Sequence, residues 1–345
     1  GDFDLSGGNI NVDETTSTAT VEIPAGQSAV EITLAPNDDA VAENLETLTL
    51  GLVSTADYDV DGSASTASAN IEANDLQVTV RDDSGNLIGK FLTIQEAVDA
   101  SSDGFTIEVA AGTYTEDIIL DKELTLIGAN NGLAGNDGAR AAEAIIQGSF
   151  TLGADNIAIR GFEFTNDTAA IRGGTNGSVN FNNIDISFND FVGLTTNNQT
   201  FITNGFGTGG APTGGYSWSI TDNRFDGITG DNASIMRIDN VDGLIIADNI
   251  GLHDDANATG RRGIQIDNSQ NVQVLRNSID LGVTDFSDAI AAFDAARYNL
   301  QLSLDDDGSA NSTANVVIAE NTFSSSYDGM VTLDDRDLTG VDITA

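Results

Sequence analysis

Four aspartates each close a short apolar run. Asp239 follows Ile235-Met236-Arg237-Ile238, Asp267 follows Gly263-Ile264-Gln265-Ile266, Asp294 follows Ala292-Phe293, and Asp334 follows Met330-Val331-Thr332-Leu333. Arg237, Arg261, Arg262 and His253 lie nearby in sequence, and His253 is the only histidine. If the four runs are equivalent strands, the carboxylates stack up one edge about 5 Å apart. Stacked carboxylates beside arginines can hold a hard cation, which takes several oxygen ligands. They can also work on a sugar, as carboxyl pairs do in glycoside cleavage. The competing reading is a solvated corner ladder in which Asp replaces Asn. Like charges so close repel, so such a ladder requires cations or arginines to compensate. The candidate catalytic residues are therefore Asp239, Asp267, Asp294, Arg262 and His253. His253 sits in the polar loop Gly251-Leu252-His253-Asp254-Asp255, either as a general acid/base or as an incidental loop residue.

The elements that position these residues are announced by a recurring phrase: Asn, apolar, any, apolar, two variable residues, Asn, any, apolar. It reads Asn183-Ile-Asp-Ile-Ser-Phe-Asn189-Asp-Phe191, then Asn271-Val-Gln-Val-Leu-Arg-Asn277-Ser-Ile279, then Asn315-Val-Val-Ile-Ala-Glu-Asn321-Thr-Phe323. Looser copies begin at Asn156, Trp218 and Leu244. Copies recur roughly every 26 to 34 residues, with one wider gap, and such a period marks a solenoid. Alternation of apolar and polar residues marks each copy as a strand with one buried face. Two or three short strands per turn, joined by Gly/Asn/Asp corners, predict a parallel β-helix. The recurrent Asn suits a corner, because Asn tolerates left-handed backbone and its amide can bond to coils above and below.

Phe91-Leu-Thr93-Ile94-Gln-Glu-Ala97-Val98-Asp-Ala100 has helical spacing, with Thr93 placed as a cap. The strands Phe105–Val109 and Leu124–Gly128 follow, with Ala111-Gly112-Thr113-Tyr114-Thr115-Glu116 between them. This order resembles the opening of secreted bacterial right-handed parallel β-helix proteins of the pectate-lyase-like group. The resemblance covers roughly residues 78–345 and implies a helix near 92–101 that plugs the coil's N-terminal end. It is specific for fold and poorly specific for activity. Enzymes of that group act on acidic polysaccharides with carboxylates, often calcium, and a basic residue on one strand face. No complete set of that kind can be matched here.

Residues 1–75 read differently. Ala19–Ile23 and Val30–Leu34 alternate around Pro24-Ala25-Gly26, and Leu45–Leu50 and Ala67–Ile71 add two further strands. That is antiparallel sandwich material. Gly1-Asp2-Phe3, Ile23-Pro24-Ala25-Gly26, Asn37–Leu50 and Ile71–Asp75 together resemble the Calx-beta module, an immunoglobulin-like calcium-binding sandwich. The resemblance implies calcium held by Asp2, Asp38, Asp39, Glu43 and Asp75, with Glu46 the next acid in the cluster. Asn37 and Asn74 stand where further acids can occur in that family. The match begins partway into the module, at an internal corner.

The 345 residues carry 13 Lys+Arg against 54 Asp+Glu, a formal net charge of -41. That balance argues against nucleic acid or an anionic membrane as partner. The chain has no cysteine, which excludes disulfides, thiolate metal sites and cysteine nucleophiles. No apolar run is long enough to span a membrane. Asn-X-Ser/Thr triplets, as at Asn166 and Asn198, are expected by chance in a chain so rich in these residues. Phe206, Tyr216 and Trp218 lie in or beside a Gly-rich insertion, 204–217, suited to sugar stacking, a protein contact or shielding of a coil edge.

The expectation is an all-β chain: an N-terminal Ig-like (Calx-beta) segment over 1–75, then a right-handed parallel β-helix over 76–345. The expected function is structural or adhesive, as a secreted or cell-surface bacterial protein with bound calcium. Its partners would be neighbouring subunits, joined by strand addition at an incomplete sandwich and an uncapped C-terminal coil. The alternative is a polysaccharide lyase, hydrolase or epimerase acting on acidic glycans.

Overall fold

The computed structural model describes residues 3–8, 10–13, 18–36, 46–54, 59–63, 65–71, 77–173, 181–204, 216–252, 261–282, 296–303, 314–324, 329–334 and 339–344. The chain divides into two compact units, Gly1–Leu76 and Gln77–Ala345.

In the first unit the described strands form antiparallel pairs: Phe3–Ser6 with Thr33–Pro36, Asn11–Asp13 with Thr18–Thr20, and Glu46–Gly51 with Thr66–Ile71. The second unit is built almost wholly from three stacked sheets that the chain visits in rotation. Sheet one contains Phe105–Val109, Leu124–Ile127, Ala158–Arg160, Ile184–Ser187, Trp218–Thr221, Leu244–Ala247, Gln270–Leu275, Ala314–Ala319 and Thr339–Thr344. Sheet two contains Gly112–Tyr114, Ala144–Ile146, Glu163–Phe164, Asp190–Val192, Arg224–Asp226, Ile250–Leu252, Ser278–Asp280 and Thr322–Ser324. Sheet three contains Ile118–Leu120, Phe150–Leu152, Ile171–Gly173, Thr200–Thr203, Ser234–Asp239, Arg261–Asp267, Ala296–Ser303 and Gly329–Asp334. Consecutive strands in each sheet pair in parallel. One strand from each sheet makes a coil, and among the described residues sheets two and three carry eight strands each, which gives eight full coils. This is the arrangement of a parallel β-helix, with three strands per turn.

Period-2 alternation fills the interior with columns of like residues. Ile107, Leu126, Ile159, Ile186, Ile220, Ile246, Val274 and Ile318 stand in register in sheet one, all of them buried. In sheet two Phe164, Phe191 and Phe225 stack face to face, with ring centroids 4.9 and 4.8 Å apart. That spacing is the strand repeat itself. Gly251 occupies the next register position. A Cβ there would lie 2.4 Å from Ile235 Cδ1 and 2.9 Å from Ile279 Cδ1, so these two side chains fill the space the next ring would occupy.

The N-terminal end of the coil is closed as the motif implies. The hairpin of Val78–Arg81 and Leu87–Phe91 adds antiparallel to Phe105–Val109. The helix Ile94–Ala100 buries Ile94, Ala97 and Val98 over the first coil. Thr93 is its N-cap in a capping box with Glu96. Glu116 supplies the rest: its Oε1 accepts from Ile94 N at 2.8 Å and its Oε2 from Gln95 N at 3.0 Å. Lys122 Nζ donates to Val98 O at 2.8 Å, at the helix's other end. The Gly-Thr-Tyr-Thr-Glu stretch is thus structural, a carboxylate placed on the positive end of a helix. Glu116→Ala leaves two buried-side N–H groups without their acceptor. It is expected to lower stability by about 2 kcal/mol, read as a shift in the urea midpoint with little change in slope.

The recurrent asparagines divide into two roles. Asn189, Asn223, Asn249 and Asn277 form an inner ladder, each 2% exposed or less, and Asn321 extends it. Each backbone N–H and each Nδ2 donates to Oδ1 of the next coil's Asn, as in Asn223 N and Nδ2 to Asn249 at 3.1 and 3.0 Å. The second Nδ2 hydrogen goes back to the preceding coil, as in Asn249 Nδ2 to Ile220 O at 2.8 Å. The left-handed residue is not the ladder Asn but the one before it: Phe188, Asp222, Asp248, Arg276 and Glu320 all have φ between 54° and 60°. The first Asn of the phrase is also left-handed, at Asn156, Asn183, Asn271 and Asn315. These form a second, exposed ladder running the opposite way, with Asn183 Nδ2 donating to Asn156 Oδ1 at 2.9 Å.

Candidate functional site

The sequence-predicted edge in sheet three is formed in part. Asp239 and Asp267 are register partners on adjacent coils, only 6% and 7% exposed. Arg237 Nε donates to Asp267 Oδ2 at 3.2 Å, and Asn268 Nδ2 donates to Asp239 Oδ1 at 3.2 Å. The residue in register with Asp267 is Ser303, and Asp334 pairs in turn with Ser303. The strand there is Ala296–Ser303, because Leu300 and Leu302 supply the buried alternation that matches Ile264 and Ile266. Arg262 is not at the aspartates. It is the second residue of the strand that Asp267 ends, in register with Ser234, and about 16 Å from Asp267 along an extended chain. Its Nη1 donates to Asn232 O at 3.2 Å. Asp294 and His253 lie outside the described residues, as do Asp2, Asp38, Asp39, Glu43 and Asp75. Trp218 is not an extruded aromatic but a core residue of sheet one, 1% exposed, with Nε1 donating to Phe181 O.

A second constellation was not legible as a site. On the outer face of sheet two, Glu163, Asp190 and Arg224 stand in register on coils three, four and five. Arg224 grips Asp190 with two parallel bonds, Nε to Oδ1 and Nη2 to Oδ2, both 2.8 Å. Its Nη1 donates to Asp226 Oδ2 at 2.8 Å. Segment 128–143 lies against this face and brings Arg140 and Glu143, themselves joined by two bonds of 2.9 Å. Burial pushes the Asp190 carboxyl up, against the pull of Arg224. Burial also pushes Glu163 up, Asp190 and Glu143 push it further, and Arg140 and Arg224 pull it back. All three register residues stand just before a stacked Phe; a ladder Asn precedes Asp190 and Arg224, and Phe162 precedes Glu163. The signal that could have found them is that one position read down the repeat gives Glu163, Asp190, Arg224.

Several arginines share one geometry. Arg160–Asp185, Arg224–Asp190, Arg237–Asp267 and Arg276–Asp248 each join one turn to the next, and Arg81–Glu108 joins the N-terminal hairpin to the first coil. Within sheet one and its corner, Arg160 Nε donates to Asp185 Oδ2 at 2.9 Å, and Arg276 Nε to Asp248 Oδ1 at 2.7 Å. Stacked acids are therefore tied by cations along the axis, which answers the repulsion that the sequence raises. Among the described residues, no group of three or more His, Cys, Asp or Glu is arranged to hold a metal ion. Chemically, the sheet-two cluster offers a half-buried carboxyl held toward its neutral form, beside two carboxylates fixed by guanidinium groups.

Fold and charge arrangement together define the class: an all-β repeat protein of stacked parallel coils, with ion pairs linking coil to coil. Comparison of the chain with protein-family profiles, curated proteins and solved structures yields no match.

Proposed function

We propose that this chain is a non-catalytic structural or adhesive module of a secreted or cell-surface bacterial protein. In this reading the second unit is a right-handed parallel β-helix, and the first is a calcium-binding, Calx-beta-like sandwich. The observation that carries the reading is the use made of the carboxylates. Asp190 in sheet two and Asp267 in sheet three, both buried, are held by arginines that link coils. A carboxylate gripped on both oxygens, as Asp190 is, is poorly placed to take or give a proton. The same ties stiffen the stack, which suits a spacer or scaffold. Neighbouring subunits are the proposed partners. The two-stranded antiparallel pairs of the first unit have open edges among the described residues, a surface to which a strand can add.

The second reading is a polysaccharide lyase, hydrolase or epimerase acting on acidic glycans. Glu163 favours it, as a carboxyl held up by burial and two neighbouring acids. Incubation with acidic and neutral polysaccharides decides between the two. The expected result is no release of reducing or unsaturated ends. Release that disappears in Glu163→Gln or Asp267→Asn would overturn the structural reading.

Calcium is expected to raise the melting temperature of the first unit in the intact chain, by mass action on the folded form. A melting curve unmoved by chelator and by added calcium removes calcium from the proposal.

A further inference from the structure

Segment 128–143 leaves the coil after Leu124–Ile127 and rejoins it at Ala144–Ile146. On the way it lies across coils three, four and five. Asn130 N donates to Gly161 O at 3.1 Å, Arg140 Nη1 to Phe188 O at 2.8 Å, and Gly135 N to Asp222 O at 2.9 Å. Gly135 is pressed so close that a Cβ would lie 2.4 Å from Arg224 N and 2.5 Å from Asn189 O. Asn130 closes the segment on itself, accepting from Ala141 N at 2.9 Å and donating to Ala142 O at 3.3 Å.

The charges under this strap do not balance. Arg140 and Glu143 come from the strap, Glu163 from coil three, Asp190 from coil four, and Arg224 and Asp226 from coil five. That is four carboxyl groups and two guanidinium groups. The five N–H donors of Arg140 all have partners: Glu143 twice, and the carbonyls of Leu133, Phe188 and Phe162. Arg224 gives two bonds to Asp190 and one to Asp226. Glu163 accepts no hydrogen bond among the described residues; Asp190 and Glu143 push its carboxyl up, while Arg140 of the strap and Arg224 pull it down. The residue in register with it on coil two, Ile145, brings no charge.

We propose that Glu163 is a proton-operated latch for the strap. With its carboxyl neutral, segment 128–143 seats on coils three to five. With it ionised, a further negative charge faces Glu143 and Asp190, and the strap lifts from the coil. The direction follows from linkage. Of the strap's two charges, Glu143 raises the affinity of Glu163 for its proton more than Arg140 lowers it, so seating is favoured at pH below the ordinary glutamate range and weakens as pH rises through the elevated value.

Hydrogen–deuterium exchange on the intact chain tests this, with protection corrected for intrinsic exchange at each pH. The amides of Asn130, Gly135 and Ala141 report the strap, and those of Ile186 and Ile220 report the coil. Wild-type strap protection is expected to rise several-fold from pH 7.5 to pH 5, relative to the coil. Glu163→Gln, which stays neutral and keeps its shape, is expected to hold the high protection at both pH values. Gly135→Ala, which cannot seat, is expected to lose strap protection at both while the coil amides stay protected. Strap protection that ignores pH in the wild type, or that keeps its pH dependence in Glu163→Gln, would overturn the latch.

Discussion

Asn249→Asp is expected to be among the most damaging single-atom changes in this chain. Asn249 uses every hydrogen-bonding group of its amide. Its Oδ1 accepts from Asn223 N and Nδ2, and its Nδ2 donates to Ile220 O and to Asn277 Oδ1. Aspartate keeps the acceptor and turns the donor into a second acceptor, aimed at two oxygens. Ile220 O loses the amide donor, Asn277 Oδ1 keeps only the Asn249 backbone N–H, and a buried charge has no cation beside it. The expected loss is about 3 kcal/mol or more at neutral pH. Protonation restores an O–H donor, so the carboxyl's folded pKa is raised. Part of the loss is then regained as pH falls through that value. Urea midpoints measured at pH 7 and pH 5 check both halves. A variant as stable as wild type at pH 7, or one that gains nothing on acidification relative to wild type, contradicts the ladder account.

Phe191→Ala is the second large effect. Phe191 stacks on Phe164 at 4.9 Å and on Phe225 at 4.8 Å, and Phe201 lies tilted against it at 5.7 Å. It is fully buried in the middle of the coil, with neighbours locked by strand register on both sides. The cavity cannot close without shifting a coil, so the cost lies at the upper end of the usual range, about 4 to 5 kcal/mol. Calorimetry of the intact chain measures it. A loss below about 1.5 kcal/mol would mean that the stack relaxes freely.

Much of the second unit was legible because its signals are local and repeated. The Asn-to-Asn phrase marks one strand of sheet one and the start of sheet two in each coil, and Thr93 with Glu96 marks the helix start. What sequence could not supply was register. In sequence Ser303 follows an apolar residue just as Asp294 does, and only the register of buried Leu300 and Leu302 with Ile264 and Ile266 pairs Ser303 with Asp267. Arg262 lies five positions before Asp267, close in sequence and far along an extended strand. The sheet-two cluster was hidden for the opposite reason. Its members share a position that varies in chemistry, Glu163, then Asp190, then Arg224, and a reading tuned to recurring residue types passes over it. Segment 128–143 has no periodicity, and its placement depends on Arg140 reaching carbonyls of coils three and four. In the first unit, the residues that the family resemblance assigns to calcium fall outside those described.

The inner asparagine ladder has a direction, and that direction bears on how such a chain is made. Each of coils four to seven offers its successor two N–H groups, from the backbone and the side chain of one Asn, and receives an amide oxygen in return. A finished coil is therefore a template whose donors await a single carbonyl from the stretch synthesised next. The seed lies upstream of them all, in the helix and hairpin that close the first coil. A ribosome delivers the chain in that same order. Folding can thus keep pace with synthesis, one turn at a time, with each new asparagine docking as it emerges onto a surface already in place.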